Sequence, residues 1–113
     1  MSNVAELSTH LLRTDEGPLW SRLRKLLDER GLDPNSVALA DLLPDDTDME
    51  FGIIVTPEGD VYEFDLVYGN GDLEEQAASA TIADWRDVTA WWRDAPHRAE
   101  IDAALRLLGK EET

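Results

Sequence analysis

The 113-residue chain has the length of one domain, and with 42% hydrophobic and 31% charged residues it is apolar enough to bury a core. It contains no cysteine, which excludes disulfides, thiolate zinc sites and a cysteine nucleophile. The formal net charge of -15 disfavours direct binding to nucleic acid or to an anionic membrane surface. We therefore expect residues 1–113 to form a single acidic domain.

Two helices are predicted in the N-terminal part of the chain. Apolar residues at helical spacing favour a first helix over residues 3–13. A second helix is predicted over residues 18–30, because Pro18 suits the first helical position and Gly31 suits a left-handed C-terminal cap. Residues 36–43 are interpreted as a short helix that ends at the next proline, with a strand as the alternative.

The middle of the chain predicts an antiparallel β-hairpin. Residues 49–56 and 61–68 have the composition of strands, and a turn that contains Pro and Gly joins them. In the second strand the aromatic side chains and a leucine share one face, whereas Glu63 and Asp65 lie on the other. One face is therefore expected to be core and the other acidic. Residues 75–82 are a candidate third strand.

The C-terminal part predicts two further helices. Trp85, Val88 and Trp92 recur at helical spacing on the first, and the second begins at Pro96 and ends at Gly109. These elements together predict an α+β domain. Its antiparallel β-hairpin or three-stranded sheet would be packed on one face against N-terminal and C-terminal helices.

No signature of catalysis or of metal binding is recognisable. His10 and His97 are expected at the surface, without a carboxylate or second histidine at ligand spacing on their own elements. The acidic residues between positions 45 and 50 are candidates for a hard cation, but they lack the spacing of a calcium loop, and the alternative is a solvated turn. We expect no enzymatic activity, no cofactor and no metal site.

The distribution of charge predicts a partner-binding surface in the acidic middle segment. No Lys or Arg occurs between Arg30 and Arg86, whereas Asp and Glu recur throughout that stretch. A surface of one sign attracts basic partners and speeds their association. General solubility, or adaptation to high salt, is the alternative explanation. On the hairpin, the predicted contact residues are Asp60, Glu63 and Asp65.

Trp91 is the fourth predicted contact residue. It is adjacent to Trp92 and would point about 100° away from it around a helix. A helix in a small domain rarely buries so wide an arc. The indole is then either packed against a neighbouring loop or exposed as an aromatic anchor for a partner.

The hairpin segment MEFGIIVTPEGDVYEFDL combines a Glu-aromatic-Gly strand, a turn that contains Thr, and a strand that ends in Asp-Leu. The residues concerned are Glu50, Gly52, Thr56, Gly59, Asp65 and Leu66. On these residues the segment resembles the core of small immunity proteins from bacterial polymorphic toxin systems. The resemblance implies a non-enzymatic toxin neutraliser whose acidic surface covers a basic nuclease active site, and it assigns no individual binding residue.

Together, these observations favour a non-enzymatic protein-binding domain, an immunity or inhibitor protein that engages a basic partner, such as a toxin, through an acidic surface. One alternative is a structural or regulatory module that forms a homodimer through a sheet edge or the Trp91 surface. Another is a metal-dependent hydrolase that uses the clustered acids. With no secretory signal pattern and no apolar stretch of about 20 residues, we expect a cytoplasmic protein with no membrane contact.

Overall fold

A computed structural model describes residues 10–12, 17–46 and 49–109. The elements in these ranges are β1 (His10–Leu11), α1 (Pro18–Glu29), β2 (Ala38–Asp46), β3 (Met49–Val55), β4 (Val61–Val67), α2 (Leu73–Ala78), β5 (Thr81–Asp87), a 3-10 turn (Trp92–Asp94) and α3 (Arg98–Leu107). The strands form one antiparallel sheet in the order β1-β2-β3-β4-β5. The predicted α+β class is confirmed, with four long strands in place of the expected two or three and the short β1 at the edge.

Helix α1 is close to its prediction and ends one residue earlier. Pro18 occupies the first turn. At the other end, the Leu32 N–H donates to the Leu27 carbonyl at 3.1 Å, and the Gly31 N–H donates to the Asp28 carbonyl at 3.0 Å. This pair of bonds is a Schellman cap, which needs the positive φ of 85° that Gly31 adopts without strain.

The helices cover both faces of the sheet, so the expectation of helices on a single face is wrong. Helix α1 packs on the face that we call the α1 face, whose core includes Leu23, Leu27, Leu39, Ile54, Phe64 and Leu66. Helix α3 packs on the opposite face, the α3 face, whose core includes Ala40, Ile53, Val55, Val61, Ile101 and Ala104. Strand β3 is therefore buried on both faces, and its consecutive apolar residues follow from that position.

Residues 38–46 form strand β2, so the helix interpretation of residues 36–43 is wrong and the strand alternative is correct. Pro44 does not prevent this, because among the described residues β1 pairs with β2 at Ala38 and Leu39 and not at Pro44. A residue without an N–H is tolerated in a strand where no neighbouring strand needs that N–H.

The predicted helix over residues 3–13 falls mostly outside the described residues. Where the structure describes it, the backbone at His10–Leu11 is a strand, not a helix. The Leu12 N–H continues this pairing towards β2 by donating to the Val37 carbonyl at 3.2 Å.

Between β4 and the C-terminus, helix and strand are exchanged relative to the prediction. A capping box at Asp72 and Glu75 begins helix α2, and β5 follows it, so neither the third strand over residues 75–82 nor the first C-terminal helix is correct. Trp85 stacks on Phe64 with ring centroids 5.7 Å apart, on the α1 face, whereas Val88 belongs to the α3-face core. Their spacing of three residues therefore does not reflect a helical stripe.

The second C-terminal helix is present as α3, but it begins at Arg98, two residues after the predicted start at Pro96. Gly109 follows it with a φ of 79°. Within the part of the chain that the structure describes, no helix is long and apolar enough to cross a membrane.

Candidate functional site

The turn between β3 and β4 forms one end of the sheet and carries Asp60. Thr56 organises this turn, since its N–H donates to the Asp60 carbonyl at 2.9 Å and its carbonyl accepts the Gly59 N–H at 2.9 Å. The Thr56 hydroxyl also accepts the Asp60 N–H at 3.1 Å. Because Thr56 is buried, these three bonds hold the backbone at Asp60 in place.

The turn that follows β5 lies at the same end of the sheet. The Val88 N–H donates to the Val61 carbonyl at 2.9 Å, and the Val61 N–H donates to the Thr89 hydroxyl at 2.9 Å. The Trp91 N–H closes the turn by donating to the Val88 carbonyl at 3.0 Å. Since Val61 directly follows Asp60 in the chain, Trp91 and Asp60 share this end. The Trp91 side chain is exposed, at 49% of its full surface.

The carboxylates of Glu58, Asp60 and Asp87 lie close enough to the Tyr62 hydroxyl to affect its ionisation. Burial raises the pKa of Tyr62, and repulsion from Asp60, Asp87 and Glu58 raises the same pKa further. We call the surface formed by Glu58, Asp60, Asp87 and Trp91 the hairpin end. Sequence reasoning identified Asp60 and Trp91 in it but missed Glu58 and Asp87, the latter because it was assigned to a helix.

Glu63 and Asp65 lie apart from the hairpin end, on the α3 face of β4. Arg86 is the cross-strand partner of Glu63, and its Nε lies 3.5 Å from Glu63 Oε1. The Arg86 Nη2 lies 3.9 Å from Asp65 Oδ1. Glu63 is only 8% exposed, so the expectation of an open acidic sheet face is wrong at this residue. Sequence reasoning overlooked Arg86 as the partner of these carboxylates, because Arg86 lies just beyond the stretch without Lys or Arg.

The β5 edge beside this ion pair is irregular. Glu63 pairs with Arg86 and Asp65 pairs with Ala83, so two residues of β5 oppose one residue of β4. This is a β-bulge, in which Asp84 adopts a φ of 50°. The Arg86 guanidinium donates to the Asp84 carbonyl at 2.7 Å. A bulged edge with an occupied carbonyl is a poor template for a further strand.

The acidic turn between β2 and β3 lies partly outside the described residues, which omit residues 47–48. Glu50, at the start of β3, accepts a hydrogen bond from the Tyr68 hydroxyl. Burial raises the pKa of Tyr68, and the bond to Glu50 raises it further. The Glu50 carboxylate is therefore bound to a side chain of the sheet, Tyr68.

A third group of polar residues joins β2 to the start of α3. The Asp41 Oδ2 lies 3.8 Å from the His97 Nδ1, and a carboxylate oxygen of Glu100 completes a set of three atoms within 4.8 Å of one another. The Asp41 side chain is only 5% exposed. Burial raises the pKa of Asp41 and Glu100 adds to the effect, whereas the Leu42 N–H and His97 lower it.

Sequence reasoning missed this cluster. The expectation that His97 has no carboxylate at ligand spacing on its own element is wrong, because Glu100 follows three residues later at the start of α3. Asp41 was assigned to a helix, and its approach to His97 depends on the packing of α3 against β2. Only the spacing of His97 and Glu100 was visible in the sequence.

Comparisons with known proteins add no relative to this description. No family model, curated protein or solved structure matches the chain.

Proposed function

We propose that this chain is a non-enzymatic protein-binding domain, an immunity or inhibitor protein that engages a basic partner through the hairpin end. The observation that carries the proposal is an exposed indole, Trp91, at the same end of the sheet as three carboxylates. Aromatic anchors contribute strongly at the centre of interfaces, and complementary charge raises the rate of association. The hairpin end combines both features.

The carboxylates of the hairpin end are suited to long-range attraction. Glu58 and Asp87 are exposed and Asp60 is partly exposed. Asp87 is held in place because its carboxylate accepts the Thr89 N–H at 3.0 Å. Fixed charges of one sign on an acidic protein steer a basic partner towards one surface. The resemblance of the hairpin to immunity proteins supports the same class of partner, a basic toxin.

Glu63 and Asp65 support the hairpin end through their contacts with Arg86 and do not themselves contact the partner. The pairing of Glu63 with Arg86 joins β4 to β5, and β5 leads into the turn that carries Trp91. The pair therefore helps to hold the two halves of the hairpin end together. Charge reversal at Glu63 would place a second cation beside Arg86 and destabilise the fold, so it is unsuitable as a test of binding.

The test is site-specific photo-crosslinking in cells of the source organism. A photoreactive phenylalanine analogue replaces Trp91 in one variant and Leu107 in a matched control, since these side chains are 49% and 47% exposed. We expect position 91, but not position 107, to capture a protein with a pI above about 9. Equal capture at both positions would contradict the proposal.

Kinetics with the captured partner, once purified, separate the contributions of charge and of the indole. We expect the double variant Glu58→Lys and Asp60→Lys to lower the association rate constant at least about tenfold at low salt and less at high salt. Trp91→Ala is expected to raise the dissociation rate constant about tenfold or more. An association rate that is unchanged by the charge reversal would refute the role of the hairpin end and leave the acidity as a solubility feature.

Assembly into a homodimer through the β5 edge is less well supported, because of the bulge at Asp84. The crosslinking experiment also tests the other mode of self-association, since a homodimer through the Trp91 surface would yield an adduct between two copies of this chain. That result would mean that the Trp91 surface binds a second copy of this chain and not a basic partner.

A further inference from the structure

We propose that Asp41, His97 and Glu100 form a binding site for a divalent transition-metal ion, with Zn²⁺ as the best-fitting ion. The three side chains come from two elements, strand β2 and the beginning of α3. The site lies on the α3 face of the sheet and shares no residue with the hairpin end. Ion binding at this site can therefore be measured without the proposed partner.

Asp41 supplies an oriented carboxylate. It lies at a register shift in β2, where the pairing with β3 skips from Leu39 to Asp41. Its Oδ1 accepts the Leu42 N–H at 3.0 Å, which fixes the carboxylate. The other oxygen, Oδ2, is directed towards His97 Nδ1. A carboxylate that is 5% exposed and held in this way is pre-organised as a ligand.

The separation of Asp41 from His97 fits two ligands of one ion better than a direct hydrogen bond. At 3.8 Å, the Oδ2 and Nδ1 atoms are too far apart for a hydrogen bond. Zinc–nitrogen and zinc–oxygen distances are about 2.0–2.2 Å, so two ligands of a tetrahedral ion lie about 3.4 Å apart. The three ligand atoms lie within 4.8 Å of one another, so the side chains must draw closer together when an ion binds.

The charges of the site favour a cation. Two carboxylates lie beside a single imidazole, and one of the carboxylates is almost fully buried. A buried negative charge is stable only with a compensating partner. A divalent ion would neutralise both carboxylates at once. The Phe51 ring, whose centroid is 5.4 Å from that of His97, gives the imidazole an apolar wall.

The type of ligand selects the ion. One imidazole and two carboxylates suit Zn²⁺ and related ions such as Co²⁺, whereas Mg²⁺ and Ca²⁺ prefer oxygen ligands alone. Three protein ligands leave a fourth tetrahedral position open to water or to a group from another molecule. Because the ligands come from β2 and from the start of α3, the bound ion would clamp that helix to the sheet.

The test is thermal unfolding of chelator-treated protein with and without Zn²⁺. We expect Zn²⁺ to raise the melting temperature of the unmodified chain by several degrees, since an ion that binds only the folded state stabilises it. The rise should be lost in His97→Gln and in Asp41→Asn. His10→Gln is the matched control, because it removes the only other histidine, and the rise should persist in it.

Calorimetric titration gives the affinity directly. Removal of an outer-shell partner alone typically weakens metal affinity about 10–100-fold, so we expect His97→Gln to raise the Zn²⁺ dissociation constant about 100-fold or more. Glu100→Gln should raise it at least about tenfold. Each variant is compared with itself in the absence of metal, so a change in its basal stability does not obscure the result.

Co²⁺ serves as a spectroscopic probe of the ligand set. We expect visible absorption bands of a four-coordinate Co²⁺ ion in the unmodified chain and in His10→Gln, and their loss in His97→Gln. An absence of any Zn²⁺ effect up to about 1 mM would overturn the proposal. So would a Zn²⁺-induced rise that persists in His97→Gln, because that would place the ion elsewhere on the acidic surface.

Discussion

Replacement of Gly52 by alanine tests how closely β3 packs against Phe64 on the α1 face. Gly52 on β3 lies directly opposite Phe64 on β4. A Cβ atom at position 52 would lie 2.4 Å from the Phe64 Cζ, with two further ring atoms at 2.7 Å and 2.9 Å. Real Cβ atoms do not approach a ring so closely, so the phenyl ring must move. It is fully buried and stacks on Trp85, so that movement disturbs the stacking.

The expected cost of Gly52→Ala follows from these contacts. Overpacking a core typically costs about 1–3 kcal/mol, and loss of the stacking between Phe64 and Trp85 adds up to about 1 kcal/mol. We expect the free energy of unfolding to fall by about 2–3 kcal/mol. For a domain of this size that corresponds to a melting temperature lower by roughly 10 °C. Urea and thermal unfolding, followed by circular dichroism, measure both quantities.

A double-mutant cycle identifies the cause of the loss. Phe64→Leu shortens the side chain that the new methyl group would meet, so Gly52→Ala should cost less in that background. We expect the two changes to be less than additive by about 1 kcal/mol or more. If Gly52→Ala melts like the unmodified chain, or if the two changes are strictly additive, the close approach of Gly52 to Phe64 does not limit the packing of this core.

Three further predictions concern the charged and aromatic side chains of β4, β5 and the following turn. Arg86→Ala should lower the free energy of unfolding by about 1–2 kcal/mol, because it leaves Glu63 buried without its partner, and Glu63→Gln in the same background should recover part of the loss in urea titrations. The hydroxyl and N–H of Thr89 lower the pKa of Asp87 from its usual 3.8. The hydrogen bonds between Thr89 and the Asp87 carboxylate therefore stabilise the folded state above pH 3.8, and this stabilisation is lost as the pH falls through the lowered pKa. An NMR pH titration should show the pKa of Asp87 return towards 3.8 in Thr89→Ala but not in Thr89→Ser. Trp91→Ala should change stability by no more than about 0.5 kcal/mol in thermal melts, and a larger loss would mean that the indole is part of the core.

The sequence was sufficient where local signals determine structure. Helix α1 has a proline at its start and a glycine at its C-terminal cap, and both act through backbone geometry alone. The β3–β4 hairpin was likewise predicted, because its strands are adjacent in the chain and a turn that contains Pro and Gly joins them. In these elements the local preference and the tertiary structure agree.

The sequence was insufficient where long-range packing decides between helix and strand. Trp85 in β5 and Val88 and Trp92 after it recur at a spacing that also fits a helix, and the bulge in β5 disturbs the alternation that would have marked a strand. Strand β2 includes Pro44, which from the sequence alone indicates the end of a helix. Its place in a strand is understood only once the pairing of β1 with Ala38 and Leu39 is known. Asp41 was hidden for the same reason, since its neighbours on the α3 face come from a helix more than fifty residues away.

The order of strands in the sheet bears on how the chain reaches this structure. Strands β2 to β5 pair as sequential neighbours, so each new pairing closes only the loop between two consecutive strands. The entropy of loop closure is therefore lost in small steps, and such a topology favours faster folding than one built from distant pairings. Until α1 and α3 have docked on opposite faces, the apolar residues of β3 are open to other copies of the chain, and the high negative charge opposes such association.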